Sequence, residues 1–182
     1  MPRGFAYLAV CLAFAGPLYA DGAFTLTSPD IVEGERIDDA FIYDGFGCTG
    51  GNTSPAFAWS DAPEGTESFA FTVFDPDAPR DGGWWHWLAF DIPADVMSLE
   101  QGAGSDDGTM PAGTVQSMTD FGETGYDGSC PPQGQDHRYE FTVYALGVAS
   151  LGLADAASPA DVQAAIEENA LGSSRITATY GR

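Results

Sequence analysis

The stretch Ser68-Phe-Ala-Phe-Thr-Val-Phe74 is aromatic or β-branched at most positions and apolar at nearly every one. It reads as a strand covered on both faces. Residues 85–92 and 139–146 share that character, and residues 23–27 and 56–59 are shorter strand candidates. Residues 175–180 alternate, with Ile176, Ala178 and Tyr180 on one face. A single helix is signalled. Ser158 caps it, Pro159 occupies its first turn, Asp161 favours its dipole, and Gly172 ends it after Leu171. Between these elements lie Gly/Pro/Asp-rich loops at 44–55, 75–83, 102–113 and 120–136. Loops of that length in a compact domain usually carry function.

Composition narrows the class. The 182 residues hold 27 Asp plus Glu against six Arg and no Lys, a formal charge of −21. That field repels nucleic acid phosphates and anionic lipid surfaces, so non-specific binding to either is disfavoured. A 44% hydrophobic share excludes a disordered acidic tail, while 23 Gly and 12 Pro favour turns and short strands over long helices. The excess of Asp over Glu and the absence of Lys suit solubility in a salty medium.

Residues 1–20 read as a secretory signal peptide: Arg3, an apolar run from Phe5 to Ala15, then a Gly16-Pro17 break before Leu18-Tyr-Ala20. The run is too short to span a bilayer, and Cys11 stands too early for a lipoprotein cysteine. Residues 21–182 are then one domain, exported to a periplasmic or secreted location, with Cys48 and Cys130 as its two cysteines. In that compartment the pair points to one disulfide, the alternative being two separate buried thiols.

The chain has two histidines, His86 and His137, each at the edge of an apolar strand and near a Pro-rich loop. Either alone reads as a core histidine bonded to backbone; together they read as two walls of one pocket. An anion pocket in so acidic a chain needs concentrated local donors. The two rings, the loop N–H groups of Gly128 and Gly134, and the Tyr139 hydroxyl are candidates. Asp75 would orient a histidine and favour its charged form. Arg138, on the opposite face from His137 and Tyr139, reads as a buried ion pair with Asp77. The Asp75-Pro76 and Ala78-Pro79 bonds permit a cis form.

Taken together, Asp75-Pro-Asp-Ala-Pro79, Trp85-His-Trp87, Gly128-Ser-Cys-Pro-Pro132 and His137-Arg-Tyr139 closely resemble the phosphatidylethanolamine-binding protein family. The resemblance is to its bacterial, Raf-kinase-inhibitor-like branch. Gly47-Cys-Thr-Gly-Gly-Asn-Thr-Ser-Pro55 and Trp59 look like that branch's first loop and strand, and the resemblance covers residues 24–182. It implies a mainly β fold, a sandwich of antiparallel, Greek-key type sheets with a few short peripheral helices. It also implies a shallow pocket for a phosphate-like anion or phosphorylated head group. Carried over by motif, the ligand-binding residues are Asp75, Pro79, His86, Cys130, Pro131, His137 and Tyr139, supported by Asp77 and Arg138. Two features depart from the family pattern. Cys130 stands where eukaryotic members usually have Gly, and the sequence stops at Tyr180-Gly-Arg182 without the C-terminal helix of animal members.

The function this implies is a non-enzymatic exported binding protein without cofactor or metal, with an unidentified protein partner or a homodimer as further associations. The alternative is a metal-dependent or His/Asp hydrolase using His86, His137, Asp75 and Asp77, a legitimate ligand set. It would leave the Pro-Pro loop unexplained, and no HExxH, GxSxG, P-loop or CxxC spacing is present. Kinase inhibition follows from the family name alone and ranks low for an exported chain. Asn52-Thr-Ser54 matches a glycosylation sequon by chance, Asp106-Asp107 reads as solvated, and the Trp84, Trp85 and Trp87 run as one ring in the core and one at the pocket lip.

Overall fold

The computed structural model of the chain describes residue 1 and residues 23–105 and 108–182; the signal-peptide segment and Asp106-Asp107 lie outside the described residues. Strand β5 (Ser68–Asp75) is the centre of an antiparallel five-stranded sheet. It pairs on one side with β6 (Trp84–Pro93) and on the other with β9 (Asp136–Leu146). The outer members are β8 (Val115–Gln116), beside β6, and β10 (Ala170–Gly181), beside β9. A three-stranded antiparallel sheet places β4 (Phe57–Ser60) between β1 (Thr25–Thr27) and β7 (Ser98–Leu99). A two-stranded hairpin joins β2 (Asp44–Gly45) to β3 (Cys48–Thr49) inside a segment that reads as loop from its composition.

The period-two geometry of strands explains how one apolar run serves two layers. Phe69, Phe71 and Val73 of β5 face the small sheet, where Phe57 meets Phe71 at 4.5 Å and Trp59 meets Phe69 at 5.3 Å between ring centroids. Ala70 faces the other way with Leu88, Phe90 and Leu146, and there helix α1 (Pro159–Asn169) lays Val162 and Ile166 over them. Covered on both faces, β5 is buried at every position but Phe74, which is half-buried. Ile176, Ala178 and Tyr180 of β10 do share the inner face, as their alternation requires.

The ends of α1 show how far local signals reach. The Ser158 hydroxyl accepts from the Asp161 N–H and Pro159 occupies the first turn. Gly172, however, does not end the helix. It stops at Asn169, and Ala170 already pairs with Leu146, so the chain passes directly into β10 through a bulge between Ala170 and Gly172. Pairing with β9 supplies the partners that a glycine cap would otherwise provide. Both loop prolines are trans, since no described peptide bond is cis. Among the described residues no helix is long and apolar enough to cross a membrane.

Phe71 sits fully buried between the sheets against Phe57, Trp59 and Trp87. Its replacement by Ala should cost about 3–5 kcal/mol, the range for truncating a buried aromatic, read from urea unfolding midpoints at constant m-value.

Candidate functional site

The site is built where β5 ends and β6 and β9 begin. Asp75 closes β5, opposite Trp84 of β6. The β5–β6 register then slips: Phe74 pairs with Trp85 and Val73 with Trp87, leaving His86 as the extra residue of a bulge. Because strand side chains alternate, the slip returns His86 to the face that carries Tyr139, while Trp85 turns outward to meet Phe74 at 4.4 Å. His137 and Tyr139, two apart on β9, share that face.

A cavity of about 180 Å³ opens there, lined by Asp75, Ala78, Pro79, Trp84, His86, Cys130, Pro131, Pro132 and His137, with Phe46 and Phe121 at its aromatic lip. It is smaller than the usual ~300–1,000 Å³ of drug-sized ligand sites. Six of the seven residues assigned by motif thus border one space. The seventh does not. Tyr139 is fully buried beneath, its ring edge-on to His86 at 5.3 Å, its phenol beside Asp75 and Ser129 without a well-formed hydrogen bond. Burial first, and then the Asp75 charge, push that phenol far above its usual range, so it stays neutral.

The two imidazoles are held differently. His137 Nδ1 donates to Asp75 Oδ2 at 2.8 Å, both groups being buried, and its Nε2 lies 2.9 Å from Gln135 Oε1. His86 is 3% exposed, and its Nδ1 donates to the carbonyl oxygens of Asp127 at 2.9 Å and Gly128 at 3.1 Å. Burial is the largest influence on His86 and pushes it below the ordinary imidazole range. Both descriptions from the sequence therefore apply to one residue: His86 is bonded to backbone and also borders the cavity.

Three expectations are corrected. The Gly128 N–H donates to Asn52 Oδ1 at 2.8 Å and the Gly134 N–H to the Arg182 carbonyl at 2.6 Å, so neither is free to meet an anion. The Arg138–Asp77 pair forms, with Arg138 Nη2 2.7 Å from Asp77 Oδ1 and Nε 2.8 Å from Oδ2, but it stands at the surface. Asp77 is committed to it and does not border the cavity. The four-residue hydrolase set is therefore not assembled, and among the described residues no cluster of three His, Cys, Asp or Glu side chains is arranged to hold a metal. Of the tryptophans, Trp87 is in the core and Trp84 lines the cavity, one ring in each place as expected.

The second wall joins the expected disulfide to residues without a legible signal. Cys48 and Cys130 are joined, at an S–S distance of 2.05 Å and across 82 residues of sequence, tying the β2–β3 hairpin to the Pro131-Pro132 loop. The hairpin turn, Phe46-Gly47, has φ of 50° and 82°. A two-residue turn of this hand suits the strand twist, but a bulky residue there costs roughly 1–3 kcal/mol. Phe46 is nonetheless held there, 70% exposed, stacked on Phe121 at 5.7 Å. Arg182 braces both sides, donating from Nε to the Pro131 carbonyl at 2.7 Å and from Nη2 to the Phe46 carbonyl at 3.2 Å. Asn52 fastens Gly128, whose close approach to Tyr43 and Phe41 leaves no room for a Cβ.

Fold and site define a class: an antiparallel β-sandwich with a small histidine-bearing cavity at one end of its central sheet. The chain belongs to the phosphatidylethanolamine-binding protein family, whose family model matches residues 27–181. It is 46% identical over 160 residues to the UPF0098 protein YbcL of Escherichia coli K12, covering 87% of each chain. It is 45% identical over 155 residues to YbhB of the same strain, covering 85% of this chain and 98% of that one. The crystal structure of E. coli YbcL, described as a new member of the mammalian PEBP family, superposes with a TM-score of 0.86, covering 88% of this chain and 99% of that chain at 45% identity. LppC of Mycobacterium tuberculosis, named as a lipoprotein, is 36% identical over 171 residues, covering 93% of this chain and 72% of its own.

Two outcomes test the architecture. Asp77, with Arg138 as the first cause, titrates at about 2 rather than the ordinary 3.8. The depressed folded value means that the pair's contribution is complete above the unfolded pKa and is lost as pH falls through about 2. Carboxyl NMR titration should find that midpoint, and Arg138→Ala should return it towards the ordinary value. Reduction of Cys48–Cys130 should cost about 4–5 kcal/mol on the chain-entropy view, lowering the melting temperature and loosening the Phe46 hairpin in hydrogen exchange.

Proposed function

We propose that this protein is a non-enzymatic, exported binding protein whose cavity receives a small oxyanion or phosphorylated head group. The observation that carries the reading is the meeting of His86 and His137 at one small cavity, walled by two proline loops and backed by Asp75. In a chain of formal charge −21 the long-range field opposes anions, so local imidazole groups must supply the attraction. The volume fits a phosphate-sized group better than a whole lipid, whose tails would leave across the Phe46 and Phe121 lip. That lip is also the surface a protein partner would read. The family name and fold agree with binding rather than turnover, and Asp77 is drawn away from any hydrolytic set by Arg138. Export is supported by the disulfide, by the character of residues 1–20 and by a lipoprotein-named relative.

Titration with phosphoethanolamine and inorganic phosphate, followed by NMR of the Trp84 indole and the two histidine rings, should show saturable shifts confined to the cavity. His137→Ala should weaken binding at least about tenfold, the low end for a lost charge-assisted hydrogen bond. Unchanged affinity in that variant would refute the site. Hydrolysis of a phosphate monoester by the purified protein would favour an enzyme instead.

A further inference from the structure

The cavity is poor in hydrogen-bond donors. The Gly128 and Gly134 N–H groups are taken by Asn52 and Arg182, and Asp75 offers only acceptor oxygens, one to His137 Nδ1 and one to the Asp77 N–H at 2.8 Å. Arg80 leans over Trp84 with Asp120 as its ion partner, and Arg138 is held by Asp77. What remains to meet an oxyanion are the Trp84 indole N–H, which has no hydrogen-bond partner, and the His86 ring, with His137 Nε2 joining them once Gln135 turns aside.

For His86 the geometry dictates the tautomer. Its Nδ1 faces two backbone carbonyl oxygens, which accept and never donate, so the ring hydrogen must sit on Nδ1. In the neutral ring Nε2 then carries a lone pair, which repels a fully deprotonated phosphate. His137 likewise keeps its hydrogen on Nδ1, facing the Asp75 carboxylate, but its Nε2 is engaged by the Gln135 amide, which can turn to present either an oxygen or an NH₂.

We propose that His86 makes ligand capture proton-coupled: the oxyanion is held only with one proton in its contact with His86 Nε2, delivered by solvent to the ring or carried in by a singly charged phosphate monoester. The inference rests on the oxyanion reading and specifies which protonation state the pocket accepts. The groups around His86 agree with it. From β9 it meets the Tyr139 ring, and His137 lines the same cavity; from β5, the Asp75 carboxylate; from the 120–128 segment, the Phe121 ring, the Asp120 carboxylate and the Asp127 and Gly128 carbonyls. Burial holds the empty ring neutral, while Asp75 and Asp120 favour its charged form, so an arriving anion can tip it.

Isothermal calorimetry of the whole exported chain at about pH 8, in buffers of differing ionisation enthalpy, measures the protons taken up. Two probes separate the sources of ligand: phosphoethanolamine, a monoester, and glycerophosphoethanolamine, a diester whose phosphate holds no titratable proton. Both should bind with uptake of about one proton, and diester affinity should fall about tenfold per pH unit above neutrality. His86→Gln, which offers an amide N–H without titrating, should bind the diester with the uptake abolished. Binding of the diester by the unaltered protein with no proton uptake overturns the inference and leaves the oxyanion site standing. Uptake that persists in His86→Gln overturns it in favour of His137. No binding of either probe overturns both readings.

Discussion

The one-residue slip between β5 and β6 governs the geometry of this protein's cavity. In an unbroken ladder His86 would face α1, on the side of Leu88 and Phe90. With Val73 opposite Trp87 and Phe74 opposite Trp85, the extra residue re-aims the imidazole towards Tyr139, Asp75 and His137. Three adjacent strands then contribute one polar group each, Asp75, His86 and His137, to a single end of the central sheet. A bulge is an economical way to do this, since the flanking apolar residues keep their places in both cores.

The electrostatic setting follows from that placement. Two imidazoles and a carboxylate are buried among aromatic rings, where an unpartnered polar group is expensive. The fold answers with fixed partners: Asp75 for His137, and the carbonyls of Asp127 and Gly128 for His86. Thr119 fastens Asp127 in turn, its hydroxyl 2.9 Å from Oδ2. Each ring is oriented before any ligand arrives, so little reorganisation is left for the binding step. The cost is that most donors around the cavity are already spent within the protein.

The opposite wall is assembled by cross-links. The Cys48–Cys130 bond, the Arg182 guanidinium and the Asn52 side chain converge on the hairpin and the Pro131-Pro132 loop. They compensate for the unfavourable backbone of Phe46, whose ring is thereby presented at the cavity mouth. Cys130 is therefore both wall and tether.

Much was legible in the primary structure because burial on both faces forces a continuous apolar run, as in Ser68-Phe-Ala-Phe-Thr-Val-Phe74, and because Ser158-Pro159 is a local capping signal. The motif residues that border the cavity were legible too, the histidines and Asp75 through their chemistry and Pro79, Cys130 and Pro131 through resemblance to a family pattern. The commitments of Gly128, Gly134 and Asp77, the submerged position of Tyr139 and the end of α1 at Asn169 were not. Each depends on a partner dozens of residues away, and no local pattern encodes which acceptor a backbone N–H will find. Residue type and periodicity thus settle which segments become strands and which side chains hold useful chemistry. Register, tautomer and the direction each group faces emerge only when the sheets pack, because those are properties of pairs of residues rather than of single ones.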